Sequence, residues 1–146
     1  MTTCPEPVGL PVGSTGRLVL TAVGTLLLSG FLLAAQLEPD PRGYGTHQRL
    51  GLPECSFRTL FSRPCPGCGM TTSFAHFVRG QWLASARANP AGLMMAVMCV
   101  AFLPWCGVSV WLGRLWWVDD PWPVLAWLLG GWGAAGLMVW VVRWVL

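Results

Sequence analysis

The chain has 146 residues, of which 54% are hydrophobic and only 10% are charged. An ordinary soluble domain carries about 25% charged residues because polar groups must cover its large surface, so the composition excludes that class. The net charge of +3 is small and no arginines cluster, which argues against nucleic-acid binding.

Three uncharged apolar runs predict transmembrane helices over residues 18–37, 91–113 and 121–142. A hydrocarbon core about 30 Å thick is crossed by roughly 20 helical residues, and a backbone in lipid must satisfy its own hydrogen bonds. The predicted fold class is therefore an all-α membrane protein. We expect one membrane domain over residues 1–146, with a tail of residues 1–17 before the first helix and a long loop of residues 38–90 after it.

The loop and the helix boundaries carry local signals. Asn89-Pro90 places a capping side chain before a proline in the first helical turn, and Asp120-Pro121 repeats the arrangement. Apolar residues at helical spacing after Gly69, and again over residues 81–88, predict two short helices in the loop that lie at the membrane surface.

Small residues predict how the third membrane helix packs. Ala126, Gly130 and Ala134 recur every four residues and so lie on one face. Small side chains let helix backbones approach closely in lipid. We expect this face to pack within the chain, because three helices need partners there first.

Arginine placement predicts the orientation. Six of the nine arginines fall in the loop of residues 38–90 and Arg143 lies on the same side, whereas Arg17 and Arg114 lie on the other. Cytoplasmic segments of membrane proteins carry an excess of basic residues. We therefore expect the loop and the C-terminus in the cytoplasm and the N-terminus outside.

The loop carries one set of residues suited to binding a metal. Cys65 and Cys68 form a Cys-x-x-Cys pair, and Cys55 lies ten residues upstream. Such a pair supplies two of the four ligands of a tetrahedral zinc site from one tight turn. Cys55 and His47 would complete a Cys₃His set, with His76 as the alternative fourth ligand.

Two other interpretations of the cysteines remain open. Cys65 and Cys68 are spaced as a redox pair, since two such sulfurs can bond to each other and a following helix start stabilises a thiolate. In a purely structural interpretation, Pro66 and Gly67 form a tight turn, and the cysteines pack as small apolar residues or form a structural disulfide.

One ordered set of residues resembles a known pattern. It consists of Cys55-x-Phe57-Arg58, Pro64-Cys65-Pro66-Gly67-Cys68-Gly69-Met70-Thr71, Arg79-Gly80, Ala84 and Asn89-Pro90. The set resembles a family of small bacterial membrane proteins, a domain of unknown function marked by a Cys-Pro-x-Cys-Gly-x-Thr signature. The resemblance covers about residues 45–100, implies a bacterial multi-pass membrane protein, and supports treating Cys55, Cys65 and Cys68 as one set. We expect the protein to lie in the bacterial inner membrane. The resemblance implies no activity, and many members carry arginine where this chain has Thr72.

Two functional hypotheses follow. The first is a non-enzymatic membrane protein whose loop forms a cysteine-organised cap that binds zinc or serves as an assembly surface. Its partners would be the lipid bilayer and either another membrane protein or a second copy of the chain, with no nucleic acid. The second is a membrane thiol–disulfide oxidoreductase that uses the Cys65 and Cys68 pair.

Overall fold

In a computed structural model that describes residues 9–145, the chain forms six α-helices and one short 3₁₀ helix. The α-helices are α1 (Ser14–Gln36), α2 (Ser56–Phe61), α3 (Met70–Phe77), α4 (Trp82–Ala88), α5 (Pro90–Leu112) and α6 (Pro121–Val145). The 3₁₀ helix spans Thr46–Leu50. Of the predicted N-terminal tail, residues 1–17, residues 9–17 lie in the described part of the chain.

Three of these helices are long and apolar enough to cross a membrane, namely α1, α5 and α6. They have 23, 23 and 25 residues, which corresponds to about 35 Å of helix at about 1.5 Å per residue. The predicted fold class, an all-α membrane protein with three spanning helices and short helices in the first loop, is confirmed.

The N-terminal segment and the α5–α6 turn lie at the same end of the molecule. Backbone N–H groups of Leu10 and Val12 donate to the carbonyls of Val118 and Gly113, at 3.0 and 2.9 Å. The N–H of Gly9 donates to a carboxylate oxygen of Asp119 at 3.0 Å. These bonds satisfy main-chain groups beyond the start of α1, where helical partners are missing.

The central membrane helix is α5, which packs against both α1 and α6. It begins as the sequence predicts: Pro90 occupies the first turn, and the Asn89 side-chain oxygen accepts from the N–H groups of Ala91 and Gly92 at 3.0 and 3.2 Å. The cap satisfies two of the donors that a helix start leaves unpaired.

The packing predicted for α6 is wrong. Ala126, Gly130 and Ala134 are exposed, and a methyl group added at Gly130 would meet no atom within 4 Å. The contacts of α6 with the rest of the chain fall elsewhere on the helix, as where the Trp132 indole N–H donates to the Ala91 carbonyl at 3.3 Å.

The short helices form a compact cap on one end of the membrane helices. Its interior is polar: the hydroxyls of Ser73 on α3 and Ser85 on α4 lie 2.8 Å apart, and Ser73 also donates to the Asn89 carbonyl at 3.1 Å. All three residues are almost completely buried. Buried hydroxyls are tolerated because each has a partner, so this network fixes α3, α4 and the start of α5 relative to one another.

Arg79 attaches the cap to α1. Its guanidinium donates to the carbonyls of Ala34 and Ala35, in the last turn of α1, at 3.2 and 3.0 Å, and to the Ala75 carbonyl of α3 at 2.7 Å. The last carbonyls of a helix have no partner within it, and a cation interacts favourably with them. Arg79 thus holds α3 against the end of the first membrane helix.

Candidate functional site

The cysteine-containing segment lies against the C-terminal end of α6. Three hydrogen bonds hold it there, from Arg143 Nη1 to the Cys68 carbonyl (3.1 Å), from Trp140 Nε1 to the Pro64 carbonyl (3.0 Å) and from Arg63 Nη1 to the Trp144 carbonyl (2.8 Å). The Phe57 ring of α2 also packs on the Trp144 ring, with centroids 5.8 Å apart. The loop and the C-terminal end of α6 are therefore at the same end of the molecule.

Beside this segment lies a cleft of about 640 Å³. Its lining includes Arg42, Tyr44, His47, Glu54, Cys55, Arg58, Cys65, Cys68 and Thr71. The cleft thus collects the three loop cysteines, two arginines and one histidine from the 3₁₀ helix, α2 and the turns that precede the 3₁₀ helix and α3. A volume of this size lies within the range of small-molecule sites, about 300–1,000 Å³.

The thiols of Cys55 and Cys65 both line this cleft. Cys55 occupies the capping position of α2, and each of the two thiols influences the pKa of the other. All five cysteines within residues 9–145 are free thiols. The sequence pairs Cys65 with Cys68 by spacing, whereas the fold also brings Cys55 into the same cleft.

The pKa values of these two thiols are shifted in opposite directions. The pKa of Cys55 is lowered from its usual value, chiefly by the backbone N–H of Arg58 at the start of α2, with further contributions from the Cys65 thiol and the Arg58 charge; burial opposes the shift. Burial and the Cys55 sulfur raise the pKa of Cys65 to about 11. A thiolate is stabilised at a helix start because the N–H groups there point toward it.

Cys68 is buried and contacts the guanidinium of Arg58. Arg58 Nη1 lies 3.7 Å from the Cys68 sulfur, and the guanidinium carbon lies 3.6 Å from the centre of the Tyr44 ring. Arg58 therefore occupies the cleft between an aromatic face and a sulfur. Cation–π stacking of this kind orients a guanidinium without neutralising it.

The two histidines predicted as zinc ligands lie in different places. His47 lines the cleft with the three cysteines. His76 lies near the other end of α3, where its Nδ1 is 2.6 Å from the Gln81 side-chain oxygen. Among residues 9–145, no group of three or more Cys, His, Asp or Glu side chains is placed to hold a metal ion. The zinc site of Cys55, Cys65, Cys68 and His47 stays a prediction.

The turn between Cys65 and α3 depends on one glycine. The N–H of Cys68 donates to the Cys65 carbonyl, and the N–H of Met70 to the Gly67 carbonyl, both at 3.0 Å. Gly69 has a φ of +84° and is packed so closely that an added methyl group would lie 2.6 Å from the Ala88 carbonyl oxygen. Only glycine adopts this conformation in so little space without strain.

We expect Gly69→Ala to lower the free energy of unfolding by about 2 kcal/mol or more, because it adds a left-handed alanine and a clash with main-chain oxygens that cannot rotate away. Gly67→Ala is the matched control, since its added methyl group would meet nothing within 4 Å; it should change stability by less than about 0.5 kcal/mol. Denaturant titration of both variants in detergent checks the difference. Equal losses would contradict the packing described for Gly69.

Several cleft residues escape prediction from the sequence. Tyr44 and Arg58 meet across 14 residues, and Cys55 shares the cleft with Cys65 because α2 folds back between them. The available signal is the apolar spacing of Phe57 and Phe61, whose rings lie 4.8 Å apart on one face of α2. That spacing indicates a short amphipathic helix but not the direction in which it packs.

The fold and the site define the class of the protein: an all-α membrane protein whose first loop forms a cap with a thiol-lined cleft. Residues 55–103 match a family model described as "Protein of unknown function (DUF2752)". This stretch is similar to that family and contains Cys55, Cys65, Cys68 and the first part of α5. The chain matches neither a curated protein nor a solved structure.

Proposed function

We propose that the chain is a membrane-embedded thiol–disulfide exchange protein in which Cys55 is the attacking thiol and Cys65 the resolving thiol. The observation that carries the proposal is the location of both thiols in the lining of one cleft, with Cys55 at the start of α2. The lowered pKa of Cys55 and the raised pKa of Cys65 suit the two roles, because the attacking thiol must be a thiolate near neutral pH.

The reaction balances with a substrate disulfide as the co-reactant. The Cys55 thiolate attacks one substrate sulfur, the substrate S–S bond breaks, and the departing thiolate takes the proton of Cys65. The Cys65 thiolate then attacks the Cys55 sulfur, forms the Cys55–Cys65 disulfide and releases the second substrate thiolate, which takes a proton from water. One substrate disulfide is reduced by two electrons and the protein dithiol is oxidised by two. A cellular dithiol reverses the change.

Cys68 has a different place in this proposal. It is buried and its sulfur faces Arg58, so a substrate in the cleft reaches Cys55 and Cys65 first. The redox pair predicted from spacing, Cys65 and Cys68, shares one member with the proposed pair. A disulfide between Cys65 and Cys68 is therefore the competing outcome of the test.

The proposed location is a bacterial inner membrane, with the cleft and the C-terminus on the cytoplasmic side. The arginine distribution supports this orientation: six arginines lie in the loop and Arg143 lies at the same end. Cytosolic thiol pools keep most cysteines reduced, and disulfides that form there are usually transient and catalytic or redox-sensing. A cycling pair fits that compartment better than a permanent structural disulfide.

Disulfide mapping tests the proposal. The full chain in inside-out membrane vesicles is treated with a mild disulfide oxidant, the remaining thiols are blocked with an impermeant maleimide, and the linked peptides are identified by mass spectrometry. We expect a Cys55–Cys65 disulfide that a dithiol fully reverses. The Cys99→Ser variant is the control, because Cys99 lies in α5 away from the cleft.

Other outcomes of this mapping would contradict specific parts of the proposal. A Cys65–Cys68 disulfide in place of Cys55–Cys65 would reassign the attacking thiol. Thiols that neither oxidise nor label would remove the exchange activity. Labelling of Cys55 by the impermeant maleimide in right-side-out vesicles, rather than in inside-out ones, would reverse the orientation.

Zinc binding is the second candidate, and a different observation favours it: Cys55, Cys65, Cys68 and His47 all line the same cleft. Coordination would draw the three sulfurs to about 2.3 Å from one ion, and the cap would then serve as an assembly surface for another membrane protein or a second copy. Metal analysis of the reduced protein separates the candidates. About one zinc per chain would favour this function over exchange, and a content near zero would exclude it.

A further inference from the structure

The charge balance around the cleft leaves one arginine distinct from its neighbours. Arg42 pairs with Asp40 at 2.8 Å and holds the pKa of that carboxyl at about 2, and Arg49 pairs with Glu38 at 3.0 Å. Arg58 takes part in neither of the ion pairs found within residues 9–145. Its polar contact is the Cys68 sulfur, a weak acceptor, at 3.7 Å.

The position of Arg58 places its charge next to the reacting sulfurs. Arg58 follows Cys55 by three residues in α2, and its charge acts on the Cys55 thiol. The Tyr44 ring stacks on the guanidinium, and the Nη1 group of the guanidinium donates to the Cys68 sulfur. Within residues 9–145, the acidic side chain in the lining is Glu54, and it acts on Arg42. Arg58 is therefore a cation of the cleft that takes part in neither ion pair.

From this arrangement we infer that the cleft selects small disulfides that carry carboxylate groups, with Arg58 as the residue that binds the carboxylate. The inference rests on the proposed exchange function and specifies its substrate class. A guanidinium binds a carboxylate through two parallel N–H···O bonds, which are stronger than a bond to a thiol sulfur. The substrate carboxylate therefore replaces Cys68 as the partner of Arg58 and brings the substrate S–S bond to Cys55.

Three symmetric disulfides of similar length test the inference. They are dithiodipropionate, bis(2-hydroxyethyl) disulfide and cystamine, which carry two negative charges, no charge and two positive charges. The full chain in neutral-lipid nanodiscs reacts with each at low ionic strength, and every rate is divided by the rate of 2-mercaptoethanol with the same disulfide. This division removes the intrinsic reactivity of the reagents.

We expect the normalised rate to be about tenfold higher for the anionic disulfide than for the neutral one, and lower still for the cationic one, because opposite charges a few ångströms apart near a protein surface attract by more than the thermal energy. Arg58→Gln should bring the anionic-to-neutral ratio close to one. It should also slow both reactions, because the lost charge no longer stabilises the Cys55 thiolate. Arg58→Lys should keep most of the ratio. Arg49→Gln removes the same charge outside the cleft and should keep all of it.

The outcomes separate the inference from the function on which it rests. If the neutral disulfide reacts and the anionic-to-neutral ratio is the same with Arg58 and with glutamine, the inference is overturned and the exchange function stands. If none of the three disulfides reacts, the exchange function itself fails. Should the glutamine variant not fold, the wild-type ratio in high salt decides: screening must reduce it, and a ratio independent of salt overturns the inference.

Discussion

At pH 7, iodoacetamide is expected to modify Cys55 at least about tenfold faster than Cys65, and Cys55→Ser is expected to remove this fast reaction from the loop. The rates are followed residue by residue by mass spectrometry, so that Cys4 and the cysteines of α5 do not interfere. Cys68→Ser is the matched control and should leave the fast reaction in place, since Cys68 is buried and does not supply the attacking thiol.

The expected size follows from the two acidities. The pKa of Cys55 lies below the usual 9.0 and that of Cys65 lies at about 11, so their thiolate fractions at pH 7 differ by at least about a hundredfold. The more basic thiolate is the better nucleophile, and on a Brønsted slope of about 0.4–0.5 this offsets a factor of about ten. About tenfold remains, and it favours Cys55.

The pH dependence of the labelling rates should distinguish the same two thiols. A lowered pKa means that Cys55 is already a thiolate at a pH where an ordinary cysteine is protonated, so its labelling rate should level off below pH 9. The labelling of Cys65 should keep rising toward pH 11. In the denatured chain the two profiles should coincide. Profiles that coincide in the folded protein would show that the fold does not shift the pKa values of the two thiols apart, and the assigned roles would fail.

The membrane helices could be predicted from the sequence because their cause is local. Lipid imposes a length of about 20 apolar residues on any spanning helix, whatever surrounds it. The start of α5 is equally local, since Asn89 caps the turn that directly follows it. Even so, α1 begins at Ser14 and contains Arg17, because a helix can continue past the apolar run into the interface.

The cleft could be predicted only in part, because its geometry depends on distant contacts. The sequence identifies the three cysteines and His47 as neighbours in one loop. It does not reveal that Arg143 and Trp140, more than 70 residues later, hold the loop against α6. Those bonds fix where the Cys65 turn lies relative to α2, and so which sulfurs line the cleft with Cys65. Spacing along the chain favours Cys68, whereas the tertiary structure adds Cys55 to the same lining.

The small-residue face of α6 illustrates a second limit. A repeat such as Ala126, Gly130 and Ala134 indicates that a helix backbone can approach this face closely. The repeat contains no information on which helix does so, and in this chain α5 packs against another part of α6. A periodic pattern predicts the face, and only the fold identifies its neighbour.

Asn89→Ala is expected to lower the free energy of unfolding by about 2 kcal/mol, because one side chain stabilises both α5 and the cysteine turn. Its oxygen caps α5, and its nitrogen donates to the Cys68 carbonyl at 3.1 Å and, more weakly, to the Pro66 carbonyl at 3.4 Å. A lost helix cap costs about 1 kcal/mol, and the lost bonds to the cysteine turn cost about 1 kcal/mol more, since the Cys68 carbonyl keeps its bond from Arg143.

Asn89→Ser separates these two roles. Serine is also a good capping residue, but its hydroxyl is too short to reach the Cys68 carbonyl while it caps α5. We therefore expect Asn89→Ser to recover about 1 kcal/mol of the loss in denaturant titrations. Cys68 is a residue that is only 7% exposed in the native protein, and in both variants its thiol should become accessible to maleimide. If Asn89→Ala unfolds at the same denaturant concentration as the unmodified protein and Cys68 stays protected, then the contacts to α6 alone hold the cysteine turn, and the bonds from Asn89 to that turn do not stabilise it.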